Sequence, residues 1–224
     1  ETLANWDPAT VNQAALRLIT VANPHWQLSG TNAVATDQAL NVDGGLDLVT
    51  AGADNDQVII SPRGQINSVD SGALGVVTWE PQHETRVHWI LEIPAITALL
   101  VHAGVGLTPA LDLTTDDDQA KFQFSTEGAV STTNLTAVES TGGTDTETDL
   151  GVAPVIATTL HLEVRFSSSG IARWYVNGVK KHTSAAALTV GAAFIPFLGF
   201  QALAAAAKTV TVRGFRISRV WQDS

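Results

Sequence analysis

Two histidines in the stretch His83-Glu84-Thr85-Arg86-Val87-His88 come close to a zinc-hydrolase pattern. That chemistry needs histidines four apart on one helix face, beside a glutamate that activates water. Here they are five apart, and the segment runs into an alternating stretch that sends the two rings in different directions. Glycoside hydrolysis on a β-sandwich needs two carboxylates facing each other across a sugar. The nearest approach is Glu147-Thr148-Asp149, which continues to Val152 where a second glutamate would stand. Asp116, Asp117 and Asp118 offer the oxygen ligands that calcium takes, and three adjacent acids in a loop are otherwise simply solvated. The chain has no glycine-flanked serine elbow and no phosphate-binding glycine loop. It also has no cysteine, which removes thiolate ligands, thiol nucleophiles and disulfides together. No catalytic residue is expected.

Binding chemistry is better represented. In Gly170-Ile171-Ala172-Arg173-Trp174-Tyr175-Val176-Asn177-Gly178, alternation puts Trp174 on one face of a strand and Arg173 and Tyr175 on the other. Arg173 and Tyr175 are therefore the candidate ligand face, and Trp174 belongs to the core. Asn177-Gly178 predicts a two-residue hairpin turn, because both residues tolerate positive φ. Asn134-Leu135-Thr136 fits the glycosylation acceptor pattern, which is frequent by chance in Thr-rich loops.

The elements that must position these residues are strands. Leu160, Leu162, Val164 and Phe166 share one parity, with His161, Glu163 and Arg165 on the other. Val87, Trp89, Leu91 and Ile93 repeat the pattern, as do Ala120, Phe122 and Phe124. Such strands have one buried and one wet face, the mark of antiparallel sheets. Residues 98–107 and 194–203 are apolar on both faces and predict central strands, with Pro196 at a strand start or bulge. Val210 and Val212 are out of phase with Phe215 and Ile217, which predicts a bulge near Arg213-Gly214. Residues 131–149 read as polar strands around a Gly-Gly turn or as a long loop. Asp7-Pro8 resembles a helix start, so a short helix is expected over 8–18. The expected fold is all-β: a two-sheet antiparallel jelly-roll sandwich over 41–224, preceded by an arm over 1–40.

Composition agrees with a globular chain. Of 224 residues 45% are hydrophobic and 15% charged, and no apolar run approaches a membrane span. Glu1 and the absence of methionine point to a trimmed start. The net charge of −10 divides unevenly. Residues 1–159 carry 4 basic and 20 acidic side chains, and residues 160–224 carry 8 and 2. The basic quarter reads as a solvated sheet face beside acidic neighbours, and direct nucleic-acid binding is disfavoured by the overall charge.

The meander over 160–183 and the stretch 194–221 resemble the C-terminal half of concanavalin A-like (laminin-G-like) jelly rolls. With Asp116-Asp117-Asp118-Gln119-Ala120, Gly142–Val152 and the ending Arg216–Trp221, the ordered set is similar to a group of tailed-bacteriophage virion proteins. The match departs from the retaining β-glucanases of lectin-like fold at their E-x-D-x-x-E strand. The resemblance implies a non-enzymatic capsid decoration (cement) or head-fibre protein, assembled in the host cytoplasm and placed on the outer capsid surface. Its partners would be the major capsid protein and its own copies, as a trimer. Val11, Leu16, Leu18 and Ile19 in the arm are the candidate interface residues for capsid or subunit. The alternative is a lectin-like carbohydrate-binding module. No cofactor is implied, apart from calcium at Asp116–Asp118.

Overall fold

In the computed structural model, residues 4–6 (backbone), 26–34, 36–62, 79–111 and 116–220 are described. The first strands are β1 (Ala4–Trp6), β2 (Trp26–Ser29), β3 (Gln38–Leu40), β4 (Leu46–Val49) and β5 (Gln57–Pro62). A 3-10 turn at Pro81–His83 leads into β6 (Arg86–Glu92), followed by β7 (Leu99–Gly106), β8 (Gln119–Ser125), β9 (Thr136–Thr141) and β10 (Thr144–Asp149). The meander comprises β11 (Thr159–Phe166), β12 (Ile171–Val176) and β13 (Val179–Ala187), and β14 (Ile195–Ala202) and β15 (Thr209–Ser218) close the fold.

These strands form two antiparallel sheets. One runs β13-β12-β11-β6-β15-β4-β3, with β1 also on β15, making eight strands; the other runs β10-β9-β8-β7-β14-β5-β2. The result is an all-β jelly roll of concanavalin A-like type. Strands β2 and β3, inside the expected arm, pair with β5 and β4, so that stretch contributes to both sheets. The expected helix over 8–18 and the interface candidates Val11, Leu16, Leu18 and Ile19 lie outside the described residues.

Alternation explains the core. Leu160, Leu162, Val164 and Phe166 of β11 face Val87, Trp89 and Leu91 of β6 in register, and all are buried. The apolar strands β7 and β14 sit side by side in the middle of the seven-stranded sheet, as their two-faced hydrophobicity requires. Pro196 is the second residue of β14, and the β5 ladder begins only at Leu198. The register on β15 slips between Val212 and Gly214, so Val210, Val212, Phe215 and Ile217 all reach the core. Asn177 (φ 50°) and Gly178 (φ 79°) make the β12–β13 turn. The polar stretch becomes the β9–β10 hairpin around Gly142-Gly143.

Trp174 ties the two layers together. It is fully buried, and its Nε1 donates to the Lys121 carbonyl of the opposite sheet at 3.1 Å. Replacing it with Ala removes both the packing and this bond. We expect Trp174→Ala to lower the unfolding free energy by about 3–5 kcal/mol. Val179→Ala, at a 57% exposed position of the same hairpin, should stay within about 0.5 kcal/mol. Urea unfolding of both variants checks the contrast.

Candidate functional site

The outward face of the eight-stranded sheet gathers the polar residues that alternation turns away from the core. Cross-strand pairing places Arg216, His88, Glu163 and Tyr175 in one row over β15, β6, β11 and β12. Ser218, Arg86, Arg165 and Arg173 form the next row on the same strands. Beyond the first row, on the other side, lie His161 and the Asn177 turn. Two depressions share this face. One, of about 390 Å3, is lined by His88, Thr159, His161, Glu163, Asn177 and Gly178. The other, of about 220 Å3, is lined by Arg86, His88, Glu163, Arg165, Arg216 and Ser218. His88 and Glu163 belong to both.

The side chains are held by one another. His161 Nδ1 lies 3.3 Å from His88 Nε2, with the rings 5.3 Å apart and tilted by 32°. Asn177 Oδ1 accepts the His161 backbone N–H at 2.9 Å, which fixes the turn against the depression and leaves its Nδ2 to donate. Arg165 Nη2 donates to Glu163 Oε2 at 2.7 Å, and its guanidinium carbon lies 4.1 Å from the centre of the Tyr175 ring. The bond to Glu163 raises the Arg165 pKa above its ordinary value. Burial lowers the His88 pKa from its usual 6.5; His161, Arg216 and Arg165 push the same way and Glu163 opposes them. His88 is therefore neutral at pH 7, one nitrogen donating and the other accepting.

The opposite outward face is closed among the described residues. Leu111 packs there on Ile59 and Phe197. Gly199 makes room for it, since a Cβ there would fall 2.8 Å from Leu111 Cδ2. Beside them His102, Gln119, Lys121 and Gln123 are buried. His102 Nε2 pairs with Gln123 Oε1 at 2.9 Å, and Gln123 Nε2 donates to Glu147 Oε2 at 3.2 Å. Burial, followed by the charge of Lys121, drives the His102 pKa well below 6.5.

The sequence candidates fall into place unevenly. Arg173 and Tyr175 do lie on the outward face, next to the depressions. The aspartate run does not gather into a calcium site. Asp116 accepts from the Thr108 N–H and hydroxyl, both at 2.8 Å, while Asp118 accepts from the Thr189 N–H at 2.9 Å. Asp117 is exposed, so the three carboxylates diverge and two of them brace loops. Among the described residues no group of three or more potential ligands is placed to hold a metal. His83 sits in the 3-10 turn, near Arg219, and takes no part in the His88 pair. Glu147 and Asp149 are on the edge strand β10, where Asp149 binds the Gly151 N–H and Asn134, bonds that lower its pKa. The expected acidic neighbours of the basic quarter exist for Arg165 and for Arg213, which donates to Glu92 at 2.7 and 3.1 Å; among the described residues no ion pair engages Arg173 or Arg216. His88, His161 and Glu163 were not singled out as a site. Their outward parity was visible in β6 and β11, but their meeting depends on a pairing between segments 73 residues apart.

No family model matches the chain, and no curated protein matches it. Solved structures do match along nearly its whole length. A β-glucanase of Bacillus licheniformis is 12% identical with a TM-score of 0.63, covering 98% of this chain and 100% of its own. A pseudo β-1,3-glucanase of Mycobacterium tuberculosis is 10% identical with a TM-score of 0.64, covering 98% and 99%. The carbohydrate recognition domain of Emp47p is 9% identical with a TM-score of 0.59, covering 91% and 93%. At such identities the likeness shows the fold.

These neighbours correct one expectation. A non-enzymatic role was expected from the phage resemblance and from the lack of a catalytic motif, yet solved glucanases share this fold from end to end, so the fold leaves catalysis open. The neighbours support the fold part of the phage resemblance and lend no support to its virion and capsid-decoration terms.

The buried His102 sets an acid limit on stability. Between pH 6.5 and its lowered folded value, the unfolded chain binds a proton that the folded chain refuses. Stability is therefore lost as the pH falls through that window, by up to about 1.4 kcal/mol per pH unit; the half-buried His88 adds in the same direction, reduced by solvent screening. Urea unfolding from pH 7.5 to 4.5 should show this slope, and His102→Gln should make it shallower.

Proposed function

We propose that this chain is a carbohydrate-binding domain of lectin type that holds a glycan on the outward face of the eight-stranded sheet. The reading is carried by the open depression in which His88, His161, Glu163 and Asn177 meet. A sugar presents many hydroxyls, each a donor and an acceptor, and needs groups of both kinds set close together. Two imidazoles, a carboxylate and an amide supply them. The depression's volume falls within the roughly 300–1,000 Å3 usual for small-molecule sites. Tyr175 and Arg165 stack beside it and give a flat, half-buried floor against which a ring can lie. The fold is shared with the Emp47p carbohydrate recognition domain and with glucanases, which supports a saccharide as the ligand class.

Native electrophoresis through gels that contain soluble polysaccharides, together with a glycan array, tests this. The protein should be retarded by at least one polysaccharide. His161→Ala and Glu163→Gln should each weaken the retardation roughly fivefold, the worth of about one net hydrogen bond. Absence of binding to every glycan, or full binding by both variants, overturns the assignment.

A further inference from the structure

The arginines of this face are arranged in a way that neutral sugars do not require. Arg86 stands directly opposite Arg165, and Arg165 directly opposite Arg173, so three guanidiniums occupy one cross-strand row. Arg216 lies one row along, opposite His88. Side chains so paired have their Cβ atoms about 4.5–5.5 Å apart, and like charges at that spacing repel. Among the described residues one carboxylate, Glu163, answers this group, and it is taken by Arg165. Among the described residues no ion pair engages Arg86, Arg173 or Arg216.

The contrast with the rest of the chain sharpens the observation. The protein has 12 basic side chains against 22 acidic ones, and four of the 12 stand together here. A merely solvated face of so acidic a chain would mix the signs. Here Arg86, Arg165 and Arg216 wall the 220 Å3 depression with His88, Ser218 and a single carboxylate, Glu163, so three guanidiniums face one acid. Guanidinium groups present paired N–H donors in a planar fork, the geometry that matches a carboxylate or sulfate. From Arg86 to Arg173 is two strand spacings, about 10 Å. That reach suits one or two acidic groups on neighbouring sugars. It does not suit a long polyanion, which a chain of net charge −10 would repel.

We propose that the glycan recognised on this face is an acidic oligosaccharide, whose carboxylate or sulfate groups sit on the Arg86–Arg165–Arg173 row beside Arg216. This rests on the carbohydrate-binding reading above and narrows it to a ligand class. The row is a local excess of positive charge that the fold places at some cost, and an anionic substituent relieves it.

Titration calorimetry with three oligosaccharide series distinguishes the outcomes: uronic-acid-containing, sulfated, and neutral with the same linkage. Arg86→Gln and Arg216→Gln are the variants, since both side chains are exposed and their loss leaves the core intact. Acidic oligosaccharides of one or both kinds should bind at least about tenfold more tightly than their neutral counterparts, a difference of about one charge-assisted hydrogen bond. Each variant should cut that preference several-fold, and added salt should weaken the wild type. Equal binding of the neutral series, unchanged in both variants, overturns the acidic class and leaves the carbohydrate reading standing. Failure to bind any saccharide, or tighter binding of a short DNA duplex than of any oligosaccharide, overturns both.

Discussion

One constraint governs this molecule: period-two strands must bury their apolar parity between two sheets, and that choice fixes the neighbours of every polar side chain outside. Trp89 pairs with Leu162 and with Phe215, and Val87 with Val164 and Ile217; all are buried. With those partners in place, His88 can stand only between Glu163 and Arg216, and Arg86 only between Arg165 and Ser218. Slipping any strand by one residue would expose its whole apolar set. The core therefore sets the site's geometry without contributing an atom to it. The bulge between Val212 and Gly214 belongs to the same logic, since without it Arg216 would point inward and Ile217 outward.

The outward face then carries a cost that the core does not demand. Opposed like charges across strands destabilise by something on the order of a few tenths to 1 kcal/mol per pair. The core can absorb such an amount: a single buried aromatic contributes several times more. The fold can hold Arg86, Arg165 and Arg173 together because Trp174, Phe122 and Phe200 hold the sheets beneath them. Tyr175 and Glu163 steady Arg165, the middle member of the row, and leave the outer two for an incoming group. The seven-stranded sheet spends its polar residues differently. There His102 pairs with Gln123 and Gln123 with Glu147, beside the cluster of Leu111, Ile59 and Phe197.

Much of this was legible in the sequence wherever the cause is local. Alternation located β6, β8, β11 and β12, Asn177-Gly178 located a turn, and the phase change at Arg213-Gly214 located a bulge. Each follows from a few consecutive residues. The site was not legible because it is made by pairing. Arg86 meets Arg165 across 79 residues of chain, and nothing in either stretch names the other. The outward placement of Arg173 and Tyr175 was legible because they flank the buried Trp174, but the residues they stand opposite were not. The likeness to virion proteins shows the same limit. It rested on Asp116–Ala120, Gly142–Val152, the meander and the last two strands, and Trp174, Asn177-Gly178 and Phe200 among these are what packing and turn geometry ask of this architecture. Residues under that demand report the fold and stay silent about the role.

The most direct measurement of where this protein works is amide chemical-shift mapping during titration with an acidic disaccharide. The account predicts that the shifts concentrate on β6, β11, β12 and the upper half of β15, around Arg86, His88, Glu163, Arg165 and Arg216. Shifts confined to the seven-stranded sheet, around His102, Lys121 and Gln123, would contradict it.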